Sequence, residues 1–491
     1  MKKLLFIAAA TLTLASCSQN GEFEDAQKAK DLGDPISFGV YTGRSAIVKA
    51  AIGGTPGSLN TAKQLGHGKD YGFGVFAYYT KAADYTKDGF TPNYMYNEQV
   101  YSTDDGATWN YDLIKYWPND ITNGGSTAAP GTQNKISFFA YAPYTPDEVV
   151  SSGTGITSLP EKTEKDPIVG YRLASDRETV DLLWGTTDAT GYADVTGGTN
   201  APKTLTGGIG PVNVDIKKMK TGDKIKFLFK HALAKFGGSV SEEDPNDKKD
   251  ESKSGLQIVL DVDNIDASTG VFKKEDTKVT VKSITIVNNG DENLGEGDLD
   301  GSSHSVIYST GKLNLTTGVF ETNKGATDET TKINHSIVQE GQSGSATLNK
   351  SIAEPSSVST WDNLKDVDGV LTTTKNVYEN EENPLVFLPG TKPSFKITIE
   401  YIIRTHDTKL PNGQYSEAVQ KITKNVALAT AVESNKKYNL IIHLGLTSIK
   451  FEANVQEWET GKKQTGVDSD GNPIYGSDDV NEKVHLPINV N

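Results

Sequence analysis

Short apolar runs with a period of two, broken every few residues by Gly, Asn, Asp, Pro or Thr, fill this sequence from residue 35 onward. Side chains that alternate in this way point to opposite faces of an extended chain, so the pattern constrains the fold to many short strands. Ile36, Phe38 and Val40 alternate; residues 71–79 (YGFGVFAYY) read as an aromatic strand, and residues 136–143 (ISFFAYAP) as another, stopped by its proline. Segments 224–236, 255–262, 279–287, 395–403 and 437–446 continue the pattern. Helical periodicity is scarce, and residues 231–236 (HALAKF) read as one helical turn or a bent strand. The expected fold class is all-β.

A chain of 491 residues has the length of two or three domains. A Gly/Thr-rich stretch at 186–211 reads as a linker or long loop, and the charged segments 240–254 and 288–303 read as exposed loops. The expectation is a β-sandwich over 35–210, a second over 215–458, and a tail at 459–491. No internal repeat of solenoid length stands out.

The first residues bear on location. Lys2 and Lys3 precede an apolar run at 4–15, which is too short to span a bilayer but has the length of a signal-peptide core. Leu14-Ala15-Ser16-Cys17 then resembles a bacterial lipobox, in which a thiolate takes up a diacylglyceryl group and becomes the first mature residue. Cys17 is the only Cys of the chain, so a chance Cys after an ordinary signal peptide is the weaker alternative. It also leaves no partner for an intramolecular disulfide. Residues 18–34, polar and acidic, read as a tether. The formal net charge of −15 argues against nucleic acid, whose phosphates demand basic patches.

Motifs for catalysis are absent: there is no HExxH, no GxSxG and no P-loop. No catalytic residue, metal site or cofactor is expected. The seven His are scattered, and His231, between Phe229 and Leu233, reads as a half-buried structural residue. Residues 468–473 (DSDGNP) begin like a Ca²⁺ loop, but Pro473 and Asp479 stand where an EF-hand needs Gly and Glu, so a hairpin turn is favoured over a weak Ca²⁺ site at Asp468–Asn472. Trp109, Trp117, Trp184, Trp361 and Trp458 read mainly as core, with a sugar-stacking surface as the alternative. No spacing singles out two carboxylates as a glycosidase pair.

Three features carry a mechanism when taken together. A candidate strand, residues 35–41, opens the folded part, with Ile36, Phe38 and Val40 on one face. Thr42-Gly43-Arg44-Ser45 follows, a small-residue segment of the kind proteases cut, containing one of only four Arg in the chain. The end of the sequence, residues 484–491 (VHLPINVN), alternates again at Val484, Leu486, Ile488 and Val490. Each has a plainer reading: an ordinary first strand, a loop Arg, and a tail that pairs with its own domain.

The lipobox, the IxFxV strand followed by Arg44, Tyr116-Trp117-Pro118 with 136–143, Asp181-Leu182-Leu183-Trp184-Gly185, residues 227–235 (FLFKHALAK), and residues 437–442 (KYNLII) with 455–458 (VQEW) together resemble the fimbrillin family, the type V pilins of Bacteroidetes. The resemblance spans most of residues 1–460, leaving the charged inserts outside it. It implies two tandem transthyretin-like sandwiches, export as an outer-membrane lipoprotein acylated at Cys17, and surface exposure. It implies cleavage between Arg44 and Ser45 by an Arg-specific protease, which would remove residues 18–44 and the strand with Ile36, Phe38 and Val40. A neighbouring subunit's strand, here Val484, Leu486, Ile488 and Val490, would fill the opened groove, giving a fimbrium in which the partners are other pilin subunits. The rival expectation is a monomeric surface lipoprotein that binds a glycan or host protein.

Overall fold

The computed structural model describes residues 34–40, 72–118, 134–147, 155–173, 181–236, 256–260, 276–288, 309–322, 334–364, 375–377, 385–445, 449–457, 462–467, 473–479, 484–486 and 488–490, less gaps of one to three residues within the longer ranges. Among the described residues there is no α-helix, and a 3-10 turn, Trp361–Leu364, interrupts an otherwise all-β chain.

In chain order the strands are β1 (Phe38–Val40), β2 (Phe73–Lys81), β3 (Met95–Val100), β4 (Lys135–Ala142), β5 (Gly155–Ser158), β6 (Ile168–Arg172), β7 (Leu183–Thr186), β8 (Tyr192–Ala193), β9 (Thr199–Asn200), β10 (Asn213–Lys217), β11 (Ile225–His231) and β12 (Ala234–Phe236). Then come β13 (Leu256–Leu260), β14 (Thr277–Asn288), β15 (Thr310–Asn314), β16 (Val319–Thr322), β17 (Asn334–Val338), β18 (Ala346–Thr347), β19 (Lys375–Asn376) and β20 (Leu385–Phe387). The last are β21 (Ser394–His406), β22 (Tyr415–Leu428), β23 (Lys436–Leu444), β24 (Ile449–Glu457), β25 (Lys462–Val467), β26 (Pro473–Asp479), β27 (Val484–Leu486) and β28 (Ile488–Val490).

The first sheet has seven strands in the order β1-β11-β7-β4-β2-β3, with β10 beside β4. Its central strands β2 and β4 are buried along nearly their whole length, which is why both read as aromatic runs rather than as clean alternation. One face covers a core that contains Phe73, Phe138, Phe227 and Phe229. The other face, with Phe76, Tyr78, Phe139 and Tyr141, joins a larger core that extends through the C-terminal sheets. Those sheets are a seven-stranded one (β19-β13-β23-β12-β20, with β24 and β27) and a six-stranded one (β18-β17-β14-β21-β22-β28).

Strand pairing crosses the expected boundary near 210–215, with later strands joining earlier ones. β10 and β11 lie in the first sheet, and the hairpin β15–β16 pairs through β15 with β6 to complete a four-stranded sheet with β5. Residues 186–211 form no simple linker: β8 pairs with β9 there, and the chain returns to the first sheet as β10. The passage between sheets is instead the segment 231–234, where β11 ends and β12 begins at once, a bent strand rather than a helical turn.

Candidate functional site

Residues 34–40 lie at the β11 edge of the first sheet, between that strand and the segment 115–117. On one side β1 runs parallel to β11, with Phe38, Gly39 and Val40 opposite Ile225, Lys226 and Phe227. The Ile225 amide donates to the Ser37 carbonyl at 2.8 Å. On the other side the Ile36 amide donates to the Lys115 carbonyl (2.8 Å), and the Trp117 amide donates to the Asp34 carbonyl (2.9 Å). The segment is therefore held by main-chain hydrogen bonds along both edges, as an inserted strand is.

Side chains do the same. Ile36 and Phe38 are each 1% exposed and Val40 is 9% exposed. The Phe38 ring meets Phe73, Tyr111 and Phe138 edge-on, with centroids 6.5, 5.4 and 5.9 Å away. The Tyr111 hydroxyl donates to the Ile36 carbonyl at 2.8 Å, and burial pushes its phenol up to about 12, so it stays protonated as a donor. At the segment's start, the Lys218 ammonium lies 3.0 Å from the Asp34 carboxylate and the Thr221 hydroxyl donates to it at 2.9 Å. The hydrogen bond from Lys218 holds the Asp34 carboxyl below its ordinary range, against the opposing effect of burial. Withdrawing residues 34–40 would uncover an apolar channel walled by Phe73, Tyr111, Phe138 and Phe227. Three aliphatic or aromatic side chains at roughly 1.5–3 kcal/mol each measure the attraction of that channel for an apolar strand.

The C-terminal tail sits elsewhere. β27 pairs antiparallel with β24, placing Val484 and Leu486 opposite Val455 and Ala453. β28 pairs antiparallel with β22, placing Ile488 and Val490 opposite Leu428 and Val426. The alternation at 484–490 thus covers two short strands on two different sheets rather than one face of a single strand. The change of sheet falls between Leu486 and Ile488. Cys17, Arg44 and Ser45 lie outside the described residues, as do Pro487, Trp458 and Asp468–Asn472. β25 and β26, on either side of the last, pair antiparallel as a hairpin should.

Trp109, Trp117, Trp184 and Trp361 are all buried, so none offers an exposed stacking face. His231 is buried more deeply than expected, at 2% exposure, and its Nδ1 contacts the Asp181 carboxylate. Burial raises the Asp181 pKa, opposed by His231 and Lys235. This pair sits where the chain leaves the first sheet. What the sequence did not disclose is the role of Trp184, whose Nε1 donates 2.9 Å to the Leu315 carbonyl and so fastens the β15–β16 hairpin to the first sheet.

No family model matches the chain. Over 188 residues it is 32% identical to the fimbrium subunit Fim1C of Phocaeicola vulgatus, a match that covers 38% of this chain and 42% of that protein. The chain therefore aligns with less than half of the length of this curated relative. A fimbrial protein from Bacteroides vulgatus superposes with a TM-score of 0.52 over 87% of this chain and the whole of that one, at 19% identity, and shares the fold. The sequence match supports the resemblance to a fimbrium subunit, and the structural match shows the fold alone.

Proposed function

We propose that this chain is a structural pilin, a stalk or accessory subunit of a cell-surface fimbrium with no enzymatic activity, built from two transthyretin-like sandwiches. It is exported as an outer-membrane lipoprotein acylated at Cys17. Cleavage after Arg44 by an Arg-specific protease removes the strand of Ile36, Phe38 and Val40, and a neighbouring subunit donates Val484, Leu486, Ile488 and Val490 in trans. The observation that carries this reading is the burial of Phe38 in an aromatic channel beside β11, with residues 34–36 hydrogen-bonded on their other edge to residues 115–117. Exposed edges and an apolar slot attract an extended strand, with backbone bonds supplying affinity and alternate side chains supplying fit. The sequence match to a fimbrium subunit supports assembly with other pilin subunits.

A second reading, a monomeric surface lipoprotein for a glycan or host protein, draws on the pairing of the tail with its own β22 and β24. In the pilin reading that pairing is a resting position, left on assembly. Treating the purified precursor with an Arg-specific protease separates the two. A new N-terminus at Ser45 together with polymers is expected, and deletion of residues 484–491 should abolish polymers while leaving the folded monomer. Polymers from the deleted chain would exclude the tail as donor. A precursor that is trimmed at Ser45 and stays monomeric would favour the second reading.

A further inference from the structure

On one side, β22 pairs along its whole length with β21. On the other side, among the described residues, β28 covers only Val426–Leu428. Residues 415–425 therefore present an open row of main-chain donors and acceptors at the margin of the six-stranded sheet. Such an edge takes up another strand unless charges, prolines or bulges prevent it. This stretch has no proline, its register with β21 runs without a bulge, and Val419 is 54% exposed near its middle. Val419 sits opposite the buried Ile402 of β21, so its open side is the one turned away from the sheet.

The charges of this edge select a partner. Glu417 and Lys421 lie two residues to either side of Val419 and share its face of the strand. A second β22 laid antiparallel about a two-fold axis through Val419 brings each Glu417 opposite a Lys421 and sets the two valines together. Tyr415 then faces Thr423, so the paired stretch ends before Val426, where β28 begins. Moving the axis to Ala418 or Gln420 separates both charge pairs, and moving it to Glu417 or Lys421 opposes like charges. Glu417 can serve both strands: Arg404 Nε donates to its Oε2, and its side chain is 40% exposed.

We propose that β22 is a homodimerisation edge, through which two copies of this chain join their six-stranded sheets antiparallel about Val419. The contact leaves the channel around Phe38 untouched and does not depend on strand donation. An edge this short gives a small interface and reversible association. Sedimentation velocity of the uncleaved chain, carrying Cys17→Ser to prevent acylation, should show a monomer–dimer equilibrium at concentrations up to about 0.5 mM. Val419→Lys sets two ammonium groups at the axis, and Lys421→Glu sets carboxylates against Glu417; each should raise the dissociation constant about tenfold or more. Lys424→Glu, whose counterpart in this register is the uncharged Gln414, should change it less than about threefold. Under diamide, Val419→Cys should give an intermolecular disulfide, because facing Cα atoms about 4.5–5.5 Å apart suit that bond. Thr423→Cys, far from its own copy across the axis, should not. A chain that stays monomeric throughout, dimers that both Val419→Lys and Lys421→Glu leave intact, or equal cross-linking at positions 419 and 423 would overturn the assignment.

Discussion

The ring of Phe38 stacks on that of Phe227, centroids 6.2 Å apart and planes 22° from parallel, across a parallel pair of strands. Phe227 touches Phe73 and Phe229 in turn, so one ring from residues 34–40 completes an aromatic cluster drawn from the body of the first sheet. Phe38→Ala in the full precursor should cost about 3–5 kcal/mol in denaturant unfolding, the range for truncating a fully buried aromatic residue. A cost below about 1 kcal/mol would mean that the channel collapses around the vacancy and holds no strand-shaped slot.

Trp184 and Gly318 couple the two halves of the chain. Trp184→Phe should destabilise by about 1–3 kcal/mol, because the Leu315 carbonyl loses its donor inside the core. Gly318→Ala should cost at least about 1 kcal/mol, from the left-handed backbone and the collision with the indole. Since β15 completes a sheet with β6, calorimetry of the full chain should record one cooperative transition. Two well-separated transitions would show that the halves fold independently.

The elements visible in the sequence are those whose burial is set by neighbours along the chain. Ile36, Phe38 and Val40 alternate because one face of a short strand is inside, and the runs at 73–81 and 135–142 are aromatic because both faces of β2 and β4 are covered. Alternation fixes which face of a strand is buried but not which strand lies beside it. For that reason the insertion of β15–β16 against β6, nearly 140 residues away in sequence, left no local trace, although the turn at Gly318 is a local signal. The run 227–235 likewise disclosed strand character but not that it passes from one sheet to another. His231 shows the same limit: its apolar flanks announced burial, whereas its partner Asp181 lies 50 residues earlier.

The contact between Asp181 and His231 is fully enclosed. Asp181→Ala or His231→Ala alone should destabilise by about 3–5 kcal/mol, because each leaves a buried polar group without its counterpart. The double variant should cost clearly less than the sum of the two, as a double-mutant cycle in denaturant would reveal. Additive losses would mean that the pair is not energetically coupled.

Asp34 ties the start of the inserted segment to Lys218 and Thr221. Its pKa is depressed in the folded chain, so its contribution is present above the unfolded carboxylate value and is lost as the pH falls through the folded one. At neutral pH, Asp34→Asn should cost less than about 1 kcal/mol, the scale of a partly exposed pair. The unfolding free energies of variant and parent should begin to converge as the pH drops below about 3.9 and meet only below the depressed folded value. A difference that persists unchanged in acid would mean that the carboxylate charge is not what holds the segment.

The slot itself is tested by a synthetic peptide of residues 482–491, fluorescently labelled at its N-terminus and titrated in parallel into the intact precursor and into the same protein cleaved after Arg44 and freed of its N-terminal fragment. With the tail deleted from both proteins to prevent self-assembly, fluorescence anisotropy should register saturable binding to the trimmed chain and none to the intact one. A peptide of residues 34–41 should compete for the same place. Equal binding to both proteins, or no binding to the trimmed chain while its fold persists, would contradict a groove that one strand vacates and another fills.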